Sequence, residues 1–226
     1  MKHKSVETIY EHAGRTYHIW DQHRLGDPYL SAHGCSFCAL ASLINAWADP
    51  SVTPHPLRQN APALLGGSRQ VRYSRMQLAL QRKPIFDLLG WQNRMPLNIA
   101  GAVRIMECYM DVDYLDGGSD DEIRSFVLAK AGSSIPVIAT GRYIPSIGAG
   151  DLCPHATHSF LILGLKDAST LIVSDSAGAE DERIKYVHID DLVRGIYRTG
   201  IRRGLGSRQY YFSFGTMGGL AAPARR

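Results

Sequence analysis

A cysteine heading a helix and a histidine set beside a carboxylate are the parts of a nucleophilic acyl-transfer site, and this chain carries both. Cys35 follows Gly34, which lets a sharp loop enter the helix. It opens a run in which Phe37, Leu40, Ala41, Ile44 and Trp47 recur at helical spacing. At a helix start the orphan N–H groups and the positive dipole end favour thiolate over thiol. The Cys35 N–H is itself a candidate oxyanion donor there. His158 begins the apolar strand Ser159-Phe160-Leu161-Ile162-Leu163, and Thr170-Leu171-Ile172-Val173 reads as its partner. Leu165 and Thr170 bracket Lys166-Asp167-Ala168-Ser169, a four-residue hairpin loop. With Leu165 paired to Thr170, His158 stands opposite Ala177, and Asp175 stands opposite Phe160. Alternation then makes His158 and Asp175 diagonal neighbours on one face, at the open end of the hairpin. Asp175 would hold one ring nitrogen of His158 and leave the other for the Cys35 thiol.

These segments resemble a known family. Gly34-Cys35-Ser36-Phe37-Cys38-Ala39-Leu40-Ala41 is similar to the Gly-Cys-Gly-Pro-Thr/Ala-x-x-Ala segment of papain-fold peptidases related to the double-glycine leader peptidases of bacteriocin processing. Ile135-Pro136-Val137-Ile138 resembles the family's Pro-Val-Ile strand. His158 through Gly164 resembles its His-(apolar)-Gly strand, and Val173-Ser174-Asp175-Ser176 its strand ending in Asp-Pro. Asp21-Gln22 resembles the upstream Gln that donates to the oxyanion. The likeness covers roughly residues 20–198, in the family's order. Ser36-Phe37 stands where the family has Gly-Pro, and Ser176 where it has Pro. These departures fit a distant branch with an altered substrate, or an inactive relative. The resemblance implies a papain-like α+β fold and a cysteine peptidase or amidase. Cys35 would be the nucleophile, His158 the base, Asp175 its orienter and Gln22 an oxyanion donor. It calls for a peptide or amide substrate and for no metal or cofactor.

Other readings of the same residues stay open. Cys35, His158 and Asp175 also suit a packed helix start, a satisfied strand histidine and a strand-end carboxylate. Cys38 lies one turn on from Cys35 as a small packed residue, or as the second thiol of a CxxC like that of dithiol oxidoreductases. Cys153-Pro154-His155-Ala156-Thr157-His158 has ligand-like spacing, so that with the CxxC it could hold zinc. His155 is an alternative base. Cys108, beside Ile105, Met106 and Tyr109, reads as core. Arg142, Tyr143 and Asp151, in the loop before His158, are candidate substrate contacts. An inactive binding module and an acyltransferase would share the same constellation.

The elements that must position these groups follow from pattern. Residues 1–33 read as short strands and loops, with Gly26-Asp27-Pro28 a turn. Asp49-Pro50 ends the Cys35 helix, and residues 50–72, rich in Pro, Gly and Asn, read as a long loop. Helices are expected over 73–82, 97–111 and 119–131, the last opened by the capping box Ser119-Asp120-Asp121-Glu122. Strands follow at 135–139, 159–163, 170–173, 184–187 and 209–214, with a short helix near 189–197. Helices first and strands later indicate a segregated α+β fold. A helical part over 34–132 and a sheet part over 135–214 form one domain, and 215–226 is a frayed tail.

Composition narrows the function class. The 226 residues suffice for one core of ordinary size. The net charge of +4 is mild, and basic residues gather only in short pairs such as Arg202-Arg203, so charge gives no argument for nucleic acid. No apolar run approaches a membrane span. The first residues carry an early acid and no apolar stretch of a secretory signal, so a cytoplasmic chain with reduced thiols is expected. Four cysteines are too few for a disulfide scaffold, which leaves burial, metal or catalysis to explain them.

Overall fold

The computed structural model describes residues 5–65, 102, 105–116, 119–142, 157–193 and 213–217. Strands β1 (Glu7–His12) and β2 (Arg15–Trp20) form an antiparallel hairpin. Ala13 and Gly14 both sit at positive φ in its two-residue turn, the backbone that matches strand twist. Gly26-Asp27-Pro28 is a helix start rather than a turn. The Asp27 side chain accepts from the Tyr29 and Leu30 N–H groups, and Pro28 supplies a preset φ at the first position of α1 (Pro28–His33). Helix α2 (Cys35–Trp47) follows at once. Gly34 between them has ordinary right-handed geometry. It must be glycine because a Cβ there would lie 2.2 Å from the Leu30 carbonyl oxygen.

The long loop expected after Pro50 contains helix α3 (Pro54–Leu65). Pro54 and Pro56 fall in its first turn, where no backbone donor is needed, and Leu57 and Ala61 are buried. Residues 73–82 lie outside the described residues, and of 97–111 only 102, 105 and 106 are described as helical. Cys108 is exposed in the turn that follows, not core. Helix α4 (Asp120–Gly132) opens on the expected capping box. The Glu122 N–H donates to Ser119 Oγ, and the Ser119 N–H donates to Glu122 Oε2 at 2.7 Å.

Strands β3 (Val112–Asp116), β4 (Val137–Arg142), β5 (Thr157–Leu165), β6 (Thr170–Ser174), β7 (Ile184–His188) and β8 (Ser213–Met217) form one antiparallel sheet. Its order is β3-β8-β4-β5-β6-β7. The short β3 was not foreseen. Gly215, Thr216 and Met217 continue β8 rather than starting a frayed tail, since they pair with Val112 through Tyr114 of β3. Residues 209–212 lie outside the described residues, as do 194–197 of the short helix, of which 189–193 are helical.

The fold is mixed α and β with an antiparallel sheet, and helices cover both of its faces. On one side α2 and the N-terminal hairpin pack against Ile138, Leu161, Leu163 and Ile172. On the other, Ile123, Val127 and Ala131 of α4 pack against Val137, Phe160, Ile162, Leu171 and Val173. The helix expected at 119–131 therefore lies across the sheet from α2, not beside it.

The β5–β6 hairpin differs from expectation at its tip and agrees at its open end. Leu165 pairs with Leu171, not Thr170, and Gly164 pairs with Ile172. Asp167 organises the slipped turn: its carboxylate accepts from the Ser169 and Thr170 N–H groups, and the Lys166 N–H donates to the Thr170 carbonyl, which closes the turn over residues 167–169. A bulge at Leu163 then removes the offset, so Ile162 pairs with Val173 and Leu161 with Ser174. At Gly164 a Cβ would lie 2.2 Å from His12 Nε2, so glycine lets β1 close against the bulge.

Candidate active site

Cys35 is the first residue of α2 and His158 the second of β5, while Asp175 follows the last residue of β6. The restored register puts His158 and Asp175 on the sheet face of Phe160 and Val173 by alternation. Asp175 accepts from His158 Nε2 at 2.8 Å. The His158 ring also lies beside the Cys35 thiol, near enough for each to shift the other's pKa, and Nδ1 is the nitrogen not taken by Asp175. The Ser159 and Ser36 N–H groups act on the Cys35 sulfur as well. Opposite His158 on β4 stands Gly141, which leaves no side chain beside the imidazole on that strand. The thiol thus arrives from the α2 layer, the imidazole and carboxylate from the sheet, and the three meet at the open end of the β5–β6 hairpin.

Burial and charge act in opposite directions here. Cys35 is 6% exposed and Asp175 fully buried. Burial pushes the Cys35 thiol up, but the hydrogen bond and charge of His158, with the Ser159 and Ser36 N–H groups, outweigh it and leave the pKa below the ordinary thiol value. Burial lowers His158, yet the Asp175 carboxylate, bonded and charged, and then Cys35 raise it to about 10. Asp175 would be pushed up by its burial. His158, Lys185 and the Ala177 N–H instead hold it well below the usual carboxylate range. The shifts thus favour the charged form of all three groups, and those charges alternate in sign along the site.

Gln22 is buried in a short 3-10 turn after β2. Its Nε2 donates to the Ser31 carbonyl at 3.3 Å, and its Oε1 accepts from Ser176 Oγ at 3.0 Å. Its own N–H donates to the Ser176 carbonyl. Ser176, where the resembled family has Pro, is thus the residue that ties Gln22 to the Asp175 segment. Arg142 ends β4 opposite Thr157. Tyr143, Asp151, Cys153 and His155 lie outside the described residues. Cys38 is buried, and burial followed by the charge of Cys35 raises its thiol pKa. Among the described residues, no cluster of three His, Cys, Asp or Glu side chains is arranged to hold a metal. No described helix is long and apolar enough to cross a membrane.

Three further sets of residues shape the site. Ser36 and Ser159 share a buried hydroxyl hydrogen bond of 2.7 Å that joins α2 to β5 directly beside Cys35 and His158. Arg183, fully buried, donates to Asp21 Oδ2 at 2.7 Å and to Thr8 Oγ1, which anchors the hairpin and the Gln22 turn. The Arg183 carbonyl meanwhile accepts the Asp175 N–H. Lys185 Nζ lies 3.1 Å from Asp175 Oδ2. Two of the three sets had a signal in the sequence: the serines adjoin Cys35 and His158, and Lys185 shares the strand parity of Val187 in a mostly apolar strand.

No protein-family model, curated protein or solved structure matches this chain.

Proposed function

We propose that the chain is a papain-like cysteine hydrolase that cleaves a peptide or peptide-like amide through a thioester acyl-enzyme. One observation carries the reading: the His158 ring is held by Asp175 through Nε2 and lies beside Cys35, with the thiol pKa depressed and the imidazole pKa raised. The Cys35 thiolate attacks the carbonyl carbon. The resulting oxyanion takes a hydrogen bond from the second Nε2 hydrogen of Gln22 and from the backbone at the head of α2. Attack removes the negative charge of Cys35, one of the causes holding the proton on His158. His158 gives that proton to the amine nitrogen as the oxyanion collapses and the C–N bond breaks, leaving the thioester; as a neutral base it then takes a proton from the water that adds to the thioester and expels the Cys35 thiolate.

The rate has a defined pH dependence. It rises as Cys35 ionises, below the usual thiol range, and falls as His158 loses its proton near about 10. The test is alkylation of Cys35 with iodoacetamide across pH, read peptide by peptide in a mass spectrometer. Cys35 should react with an apparent pKa well below the free value of about 8.5. An ordinary thiol pKa, or amide turnover that survives Cys35→Ala, would end this reading and leave a binding module in its place.

A further inference from the structure

Lys185 is a charge where a folding argument asks for an apolar residue. It lies on β7 opposite Val173, and of the β7 side chains it shares the core-side parity of Val187. Its side chain is only 13% exposed, and burying an ammonium is costly unless it is paired. The pairing runs diagonally across the sheet: Asp175 is two residues beyond Val173, and Lys185 Nζ reaches its Oδ2 at 3.1 Å. The other carboxylate oxygen, Oδ1, accepts from both His158 Nε2 and the Ala177 N–H, each within 2.9 Å. The carboxylate is thus held at both oxygens and cannot turn away from the imidazole.

We propose that Lys185 is a positioning residue of the site, fixing the Asp175 carboxylate against His158 and supplying the fourth charge of an alternating row, Cys35 then His158 then Asp175 then Lys185. This rests on the hydrolase reading of Cys35 and His158. Among the described residues, other charged groups near the row are engaged elsewhere. Arg183 is spent on Asp21, and Arg24 also pairs with Asp21. From α4, Arg124 meets Asp121 and Asp190, and Lys130 meets Asp113. Cys38 of α2 is held neutral by burial. Among the described residues, Lys185 is thus the cation placed against Asp175 from outside the triad.

An inward lysine on an edge strand also discourages strand addition, and β7 is an edge of the sheet. Such a purely structural role would leave the titration of the site unmoved, whereas the proposed one would not. Loss of a positive charge favours the protonated form of every nearby group. In Lys185→Met and Lys185→Gln, both the rise of Cys35 alkylation and its later change as His158 deprotonates should move to higher pH by about one unit. Lys185→Arg, with the charge kept, should restore the wild-type profile. Folded variants whose profiles coincide with wild type would overturn the Lys185 role and leave the hydrolase reading intact. A wild-type Cys35 with an ordinary thiol pKa would instead overturn the hydrolase reading itself. Should both neutral variants fail to fold, the nitrogen resonance of wild-type Lys185 decides the matter. It should shift in step with the His158 titration, and a resonance blind to that titration overturns the proposal.

Discussion

The two faces of the sheet are built from different materials. The α4 face is covered mostly by aliphatic side chains, from Ile123, Val127 and Ala131 on the helix to Val137, Ile162, Leu171 and Val173 on the strands, with Phe160 the one buried aromatic among its described residues. The α2 face mixes aromatic groups, among them Tyr17, Trp20, Tyr29 and Phe37, with buried hydroxyls and a thiol. Ser42, Ser159, Ser174, Ser176 and Cys38 gather there around a cavity of about 10 Å³, near the least that holds one water. A purely hydrophobic core needs no such groups, and each buried hydroxyl must find a partner. Buried hydroxyls and amides are thus concentrated where Cys38, Gln22 and Ser176 converge, whereas on the α4 side the buried polar groups are the ionic row of His158, Asp175 and Lys185 at the strand ends, beside an apolar cover.

That contrast can be broken in order of effect. Asp175→Asn should lower amide turnover by about 10⁴-fold, because the imidazole loses the partner that sets its tautomer and supports its charge. Turnover within tenfold of wild type would remove Asp175 from the chemistry. Gln22→Ala should cost roughly 100-fold or more in turnover through the lost oxyanion donor, with stability changed far less. A loss confined to thermal stability would reassign Gln22 to its Ser176 and Ser31 contacts alone. Ser159→Ala leaves Ser36 Oγ without its bonded hydroxyl in a buried seam, so about 1–3 kcal/mol of unfolding free energy should go, readable by urea titration. It should also slow Cys35 alkylation, since the seam sets the distance between α2 and β5. Ile123→Val on the α4 face should cost only about 0.5–1.5 kcal/mol and leave the alkylation profile of Cys35 in place. A displaced profile in that variant would show that the two faces are not separate in function.

Legibility in the sequence followed the range of the interactions. The α2 start, the capping box of α4 and the strands β4 to β7 rest on local periodicity and caps, which neighbouring residues display directly. The juxtaposition of His158 with Asp175 was also readable, since a hairpin makes it a near-local contact. Its tip was read one residue off, at a turn that the Asp167 side chain organises. Helix α1 was hidden because Gly-Asp-Pro opens a turn and a helix with the same residues. Helix α3 was hidden because prolines mark both loops and first helical turns. Strand β3 and the packing of α4 on the far face depend on long-range partners, which no local pattern reports. Lys185 and Arg183 were passed over for the same reason: their partners, Asp175 and Asp21, are set by sheet register and hairpin docking rather than by spacing.

The bulge at Leu163 has a practical consequence. The hairpin tip at Lys166, Asp167 and Ala168 is exposed, while the paired positions beyond the bulge run without further shift toward His158. The bulge acts as a joint between a tip that can change and an end that must not. Inserting an affinity tag or a fluorophore-bearing peptide between Asp167 and Ala168 therefore gives a handle on the molecule from the far end of the same hairpin, with the spacing of the reactive groups kept.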